Sequence, residues 1–366
     1  MNRLLSSIVP FLVASLVVAC HLRQENGETT QTSLLPITRT APGTELAFAF
    51  WNVENLFDAD DNPSNAGDDE YLPAREWTAE RYARKLDHVA GEIAAEAPHV
   101  IGFAEVENRR VLDDLVAQPA LAGSGFVVVH RESPDPRGID VALAFRAPFE
   151  LDGGDDAVLL HPVRRDSGPS RSVFEVRLRA GTARLVVLVN HWPSRGSDRD
   201  GSFRAIAGAV CKAAALAAIE REKAAGRDAD VLIVGDFNDD PWDASIVTAL
   251  GAVRSRNAAL NRHDGTPLWN ASWPLLAEPD LGTIYYNPAW TWNVFDQCIL
   301  SRGMLDTVGF RYVEDSLHVH APDHLRDSLR RPKWFRRGRD GEWAEGYSDH
   351  FMIAGRLSLT EARAGG

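Results

Sequence analysis

At 366 residues the chain has the length of one large α/β domain or two ordinary ones, and its 45% hydrophobic and 25% charged residues are those of a soluble globular protein with an ample core. A net charge of −13 argues against a protein whose whole surface binds nucleic acid, since such domains are basic, but it leaves room for a local basic groove. The three cysteines show no zinc-type Cys/His spacing, which excludes a zinc-finger scaffold.

In chain order, the first segment is "MNRLLSSIVPFLVASLVVAC": Arg3, an apolar run too short for an ordinary membrane span, then Ala19 and Cys20. This reads as a secretory signal over residues 1–19. The cysteine directly after a small residue resembles a bacterial lipobox, so the expectation is an exported chain lipidated on Cys20, against the plainer reading of a cleaved signal with an incidental cysteine. Residues 20–43 are polar and patternless, as a tether would be. A domain is expected over 44–360, followed by a short tail, 361–366.

Within that domain, apolar runs bounded by turn residues predict strands at 46–52, 99–104, 126–130, 139–145, 172–178, 184–190, 231–235, 294–300 and 350–357. Helical spacing predicts helices at about 78–96, with Thr78 as cap, and at 109–117, 202–225 and 242–250. Some strands alternate with helices and others follow one another directly. That order predicts an α/β sandwich with largely antiparallel sheets rather than a wound parallel sheet. Cys211 and Cys298 both lie among apolar residues, either as a pair or as buried free thiols.

The strand ends carry the chemistry. "FWNVENLFD" places Asn52 and Asn55, "FAEVEN" places Glu105, and "VNHWPSRG" places His191, Ser194 and Arg195. "VLIVGDFNDDP" runs from strand into Asp236, Asn238, Asp239 and Asp240, "WNVFDQCILS" carries Asp296 into an apolar run, and "YSDHF" sets Asp349 and His350 ahead of the last strand. Any one of these reads best as a cap, a turn or a satisfied core polar group. Together they are hard to explain as turns, because a polar group buried without partners costs several kcal/mol; groups that need one another to balance charge are expected to share a site. Asp236 and Asn238, two apart, are expected on one side of the turn, with Asp239 and Asp240 solvated and Pro241 opening the next helix. Asp140 interrupts an apolar strand and needs a partner, for which Arg137 is the near candidate.

The motifs WNVENLF, FAEVEN, NHWPSRG, GDFND, FDQCILS and SDHF, in this order, resemble the endonuclease/exonuclease/phosphatase superfamily over roughly 46–358, and within it exported bacterial nucleases. The resemblance implies a four-layer sandwich, two mostly antiparallel sheets flanked by helices. It also implies a hydrolase of phosphate esters that uses Mg²⁺, or Mn²⁺ or Ca²⁺ in its place. Residue by residue, it implies Glu105 as principal metal ligand supported by Asn52 and Asp349, and Asp236 to orient or deprotonate the attacking water. Asn238 would hold the scissile phosphate, His350 oriented by Asp296 would face it, and His191 would donate to a phosphate oxygen or the leaving group. Asn55, Arg171 and Arg195 are weaker candidates for phosphate contact. Hard oxygen ligands suit such a cation, and a His–Asp pair suits proton transfer, so the residue chemistry agrees.

The substrate is less legible. Trp269, Trp273, Trp290 and Trp292 with Tyr285 and Tyr286 could stack on bases or fill a core, and the segment "RDSLRRPKWFRRGR" (326–339) holds seven Lys or Arg against one Asp. These features favour nucleic acid as substrate; a monomer is the expectation for the enzyme. The alternatives are a sphingomyelinase-like phospholipid phosphodiesterase, a small-molecule phosphatase and, from another class, an inactive surface lipoprotein that only binds a partner.

Overall fold

The computed structural model describes residues 43–360 except Ser64, Ser167 and 262–267; the expected signal, Cys20, nearly all of the tether and the tail lie outside the described residues. Among the described residues are two seven-stranded sheets, whose strands are numbered here in chain order. The first contains β1 (Glu45–Leu56), β2 (Val100–Val106), β3 (Val127–His130) and β4 (Asp140–Phe145). The second contains β5 (Glu150–Leu151), β6 (Val158–His161), β7 (Val173–Ala180), β8 (Ala183–His191), β9 (Val231–Asp236), β10 (Leu268–Asn270) and β11 (Asp296–Ser301). β12 (Phe310–Tyr312), β13 (His318–His320) and β14 (Met352–Leu359) then return to the first sheet. The spatial orders are β12-β14-β1-β2-β4-β3, with β13 also on β14, and β10-β11-β9-β8-β7-β5, with β6 also on β7. Pairing is antiparallel except for one parallel pair in each sheet, β1 with β2 and β8 with β9.

Period-2 alternation builds the layers. Phe48 and Phe50 on β1 meet Val187 and Val189 on β8 and Val234 on β9 in the core between the sheets. Their neighbours Ala49 and Trp51 face outward onto Leu86, Val89 and Ile93 of α1 (Ala79–Glu96) and onto Val111, Leu112 and Leu115 of α2 (Arg109–Val116). Val186, Leu188 and Ile233 face the other way, onto Ala207, Cys211 and Ala215 of α3 (Ser202–Ala224). The result is helix, sheet, sheet, helix, the expected four-layer sandwich. α3 is apolar and long enough to cross a membrane by length and composition, but half of its apolar window is buried inside the protein, against the second sheet.

The predicted elements are found with shifts of one or two residues at most ends, and Thr78 caps α1 by accepting from Arg81 N–H at 3.3 Å. The segment expected as a helix from 242 is one wide helical stretch, Ser245–Leu250, so Pro241 lies in the preceding turn rather than at a helix start. Cys211 and Cys298 are free and buried in different cores, which excludes their pairing.

One polar clamp fastens the edge of the first sheet to α1. His320 contacts Glu92 at 2.7 Å and Glu96 at 2.6 Å, His324 contacts Glu92 at 2.7 Å and His318 contacts Glu96 at 3.2 Å. Burial works against charge on His320, but its hydrogen bonds to Glu92 and Glu96 overcome this and push the ring up to about 9. A ring raised above its ordinary 6.5 adds stability that is full below pH 6.5 and is lost as pH rises through about 9. The melting temperature of the wild type is therefore expected to fall more steeply between those pH values than that of His320→Gln, measured by thermal unfolding; parallel slopes would remove the clamp's role.

Candidate active site

Both parallel strand pairs end at the same rim, and the polar motif residues converge there. In the second sheet, His191 of β8 pairs in register with Asp236 of β9, which pairs with Asp296 of β11, so three side chains stand in a row on adjacent strands. Gly235 permits this close pairing: a Cβ there would lie 2.5 Å from the carbonyl oxygen of Asn190. His350, placed just before β14 of the other sheet, closes the row, with Nδ1 2.7 Å from Asp296 Oδ2 and Nε2 3.7 Å from Asp236 Oδ2. Trp51 Nε1 donates to the His350 carbonyl at 3.0 Å and His350 N–H donates to Ser348 Oγ at 3.1 Å, which holds the backbone that carries the ring.

From the first sheet come Asn52 and Glu105, aimed by a bulge. Between the pairs Asn52–Ala104 and Leu56–Val106, Val53, Glu54 and Asn55 of β1 face the single residue Glu105 of β2. Glu54, Asn55 and Glu105 all take left-handed backbone, with φ of 52°, 53° and 62°. Bulges re-aim side chains, and non-glycine residues held at positive φ store strain of order 1–3 kcal/mol each. Here the strain turns Glu105 to the rim, where Oε2 accepts from Asn55 N–H at 3.0 Å and Oε1 lies 3.6 Å from His191 Nε2. Asn52 Nδ2 donates to Asp236 at 3.0 Å and to Glu105 at 3.4 Å, while its oxygen accepts from Glu54 N–H at 3.1 Å. Asn52 thus spaces the two carboxylates with its amide nitrogen, and its oxygen is turned away from them.

Charge explains the protonation pattern. Burial alone would lower His350, but the charges of Asp296 and Asp236 hold it well above its ordinary value, so the ring is an imidazolium. Burial pushes Asp236 up to about 7 in spite of that neighbour. His191 is driven well below its ordinary value by burial and then by Arg171, so it is a neutral ring, and its buried Nδ1 has no partner. Asn238, at φ 51°, donates its backbone N–H to Asp236 Oδ1 at 2.9 Å and its side-chain nitrogen to Trp192 O at 3.0 Å.

Several expected residues are brought to the rim but occupied elsewhere. Asp349 accepts from Arg336 Nη1 at 3.0 Å. Asn55 accepts through its side chain from Arg137 at 2.9 Å. Arg171 is buried and spent on Asp135 and on the carbonyls of His191 and Trp192, so it braces the turn after β8. Arg195 is spent on Asp239, Asp240 and Asp243, at 3.3, 3.1 and 2.7 Å. That pairing corrects the reading of Asp239 and Asp240 as solvated: they are 5% and 1% exposed, and Arg204, Ser245 and Asn293 complete their bonding. Asp140 pairs with His130 at 3.1 Å and accepts from Ser133 N–H, not from Arg137. In the 326–339 segment, Arg331 pairs with Asp327, and Arg336 alone reaches the acidic rim, at Asp349 and Glu54.

Sequence reasoning missed Glu54 and Lys85. Glu54 is 1% exposed, and burial together with Asp349 pushes it up to about 8. Lys85 is fully buried, lowered to about 8 by burial against the pull of Glu54, and donates to the Tyr347 carbonyl at 2.6 Å. The available signal was a charge on the apolar stripe of α1, with Lys85, Val89 and Glu92 at helical spacing.

The donor set fits a hard divalent cation. Carboxylates of Glu105 and Asp236 both accept from Asn52 at this rim, and those of Asp349 and Glu54 share Arg336 beside them; Glu54 Oε1 is buried without a hydrogen bond, its ion pair to Arg336 Nε spanning 3.4 Å. Asp236, Asp296 and His350 also bring ligand atoms within 4.8 Å of one another, close enough to hold an ion, although Asp296 already binds the His350 ring.

The sequence profile of the endonuclease/exonuclease/phosphatase family matches residues 47–358. The chain belongs to that family. Its members are hydrolases of phosphate esters, nucleases and phosphatases alike, and the fold agrees with solved structures. Truncated Caenorhabditis elegans TDP2 superposes with a TM-score of 0.53 at 16% identity, covering 87% of this chain and 99% of that one. D. rerio TDP2 humanized by 14 mutations gives 0.52 at 14% identity, over 86% and 99%. D. rerio TDP2 complexed with single strand DNA product gives 0.50 at 13% identity, over 86% and 100%. No curated protein matches the chain in sequence.

The bulge makes a measurable prediction about strain. Glu105→Gly relieves the left-handed backbone, so it is expected to raise stability by about 1 kcal/mol in denaturant unfolding. A destabilised variant would show that Glu105 is held by favourable contacts and not by force.

Proposed function

We propose that this chain is an exported, divalent-metal-dependent phosphodiesterase acting on nucleic acid. The observation that carries the reading is the row His191–Asp236–Asp296 closed by His350 beside the Asn52–Glu105 pair, a constellation that needs both sheets to form. Glu105 and Asp349 would hold the cation, with Asp236 close by, and when bound it supplies compensation for the charge of the phosphate and acidifies a water. In this reading Asp236 takes the proton of the attacking water as the P–O bond to water forms and the P–O bond to the leaving group breaks. The His350 imidazolium, oriented by Asp296, donates toward a phosphate oxygen and stabilises the charge that develops there. Neutral His191 would donate a hydrogen bond to phosphate or leaving group through Nε2, the nitrogen that lies 3.6 Å from Glu105 Oε1 and 3.7 Å from Asp236 Oδ2. Asn238 holds the turn on which Asp236 sits through its N–H to Asp236 Oδ1, and in this reading its side chain would turn from Trp192 O to the phosphate.

Support for a nucleic-acid substrate comes from the hairpin Ile284–Tyr286/Thr291–Asn293, which a β-bridge from Ile284 to His350 places beside the site. Trp290, at its turn, is 76% exposed, while Trp269 is packed in the core, so only part of the tryptophan cluster is free to stack on a base. The D. rerio TDP2 complex with single strand DNA product is a fold relative bound to such a ligand. The same exposed ring is what a phospholipid phosphodiesterase would turn to a bilayer, so vesicles of sphingomyelin or phosphatidylcholine belong in the assay.

Two outcomes are expected with the full-length chain. Supercoiled plasmid is nicked with Mg²⁺ and not with EDTA, and His350→Ala lowers the rate on the order of 10²–10⁴-fold with the fold intact by circular dichroism. Trp290→Ala raises KM for single-stranded oligonucleotide about 5- to 100-fold with kcat nearly unchanged, as loss of one stacking contact requires. Hydrolysis of lipid with the plasmid untouched would move the substrate to phospholipid, and no hydrolysis of any phosphate ester by metal-loaded protein would sink the enzymatic reading. Mass spectrometry of the mature N-terminus tests the proposed lipid on Cys20.

A further inference from the structure

We propose a second cation site, selective for calcium, in the loop that follows β1. Asp61, Asp68 and Asp69 bring carboxylate oxygens within 4.8 Å of one another. Clustered acids alone would say little, but Asp68 is 1% exposed, its Oδ2 accepts from Asn62 N–H at 2.8 Å, and its buried Oδ1 has no hydrogen-bond partner. A buried carboxylate oxygen left unmatched beside two further carboxylates is costly, and a cation removes both the desolvation and the repulsion. Among the described residues no cation does so: the neighbouring Arg110 pairs with Asp58, Asp60 and Asp114, and Asp61, Asp68 and Asp69 have no ion pair.

Chemistry selects the ion. All three donors are hard oxygens, which excludes soft metals. Three carboxylates gathered in one loop match calcium, which takes many protein oxygens in flexible geometry, better than magnesium, which demands near-octahedral geometry, keeps several waters and is held by one or two carboxylates. Asp61 and Asp69 are exposed, which leaves room for the waters that complete a coordination of six to eight.

The loop is placed to transmit what the ion does. Gly67 lies so close to the next loop that a Cβ there would fall 1.8 Å from the Arg137 carbonyl oxygen. Arg137 in turn donates to Asn55, and Asn55 N–H holds Glu105 Oε2. At the loop's far end Tyr71 stacks on Phe57 with ring centroids 4.4 Å apart and meets Trp77 edge-on at 5.3 Å. A bound ion would therefore brace the loop that buttresses the bulge, while contacting none of the residues assigned to catalysis.

The test uses the full-length chain carrying Glu105→Gln, which disables the rim site. Tb³⁺ serves as a luminescent calcium substitute, excited through Tyr71 and Trp77, and is then displaced with Ca²⁺. The expected result is a saturable signal that Ca²⁺ displaces and Mg²⁺ displaces at least tenfold less well. Asp68→Asn weakens it at least tenfold, and so does the double variant Asp61→Asn/Asp69→Asn, whose exposed positions leave folding undisturbed should Asp68→Asn fail to fold. Absence of a saturable signal, equal displacement by Mg²⁺, or unchanged affinity in the double variant overturns the proposal. The readout is binding, so it stands apart from whether the enzyme cuts nucleic acid.

Discussion

Repulsion between carboxylates gathered at one rim is the constraint on which this structure depends. Glu105, Asp236, Asp296 and Asp349 meet there with Glu54 behind them, mostly buried, where like charges are least screened. The protein balances them with cations brought from far along the chain: His350 against Asp296 and Asp236, Arg336 against Asp349 and Glu54, Lys85 from α1. That balance is incomplete, as the elevated Asp236 and Glu54 show. An incompletely neutralised, oxygen-lined rim is what a divalent cation and a phosphate require, and it is a poor design for stability alone.

The fold delivers this arrangement through one repeated device. Each sheet has a single parallel strand pair, and both pairs run toward the same rim, so residues at four strand ends are brought together without long loops. The second sheet presents its residues by plain register. The first needs a bulge with three residues at positive φ, because an unbulged strand would send Glu105 to a face of the sheet and away from its end.

Behind the rim lies a second set of charges with a structural duty. Arg195 and Arg204 hold Asp239, Asp240 and Asp243, and through Asn293 and Val294 N–H they fasten the GDFND turn to the strand that leads into Asp296. Arg171 does the same for the turn after His191. The arginines that a motif reading sends to phosphate are therefore the ones that make the turns rigid, and rigidity at those turns fixes Asp236 against His191 and His350.

The sequence by itself determined the layers and the membership of the site. Alternating apolar residues choose sheet faces by their period, and polar residues at the ends of apolar runs have few places to go except a shared polar cluster; hence Asn52, Glu105, His191, Asp236, Asn238, Asp296, Asp349 and His350 were legible, as were most strands and the three long helices. Partnership was not. Whether Arg195 meets a phosphate or Asp240, whether Asp140 pairs with Arg137 or His130, and whether Asp239 is solvated depend on which distant segments arrive alongside, and local pattern carries no record of that. The buried Lys85 and Glu54, the orientation of the Asn52 amide and the exposure of Trp290 were likewise decided only in three dimensions, because burial and charge balance are properties of the packed whole.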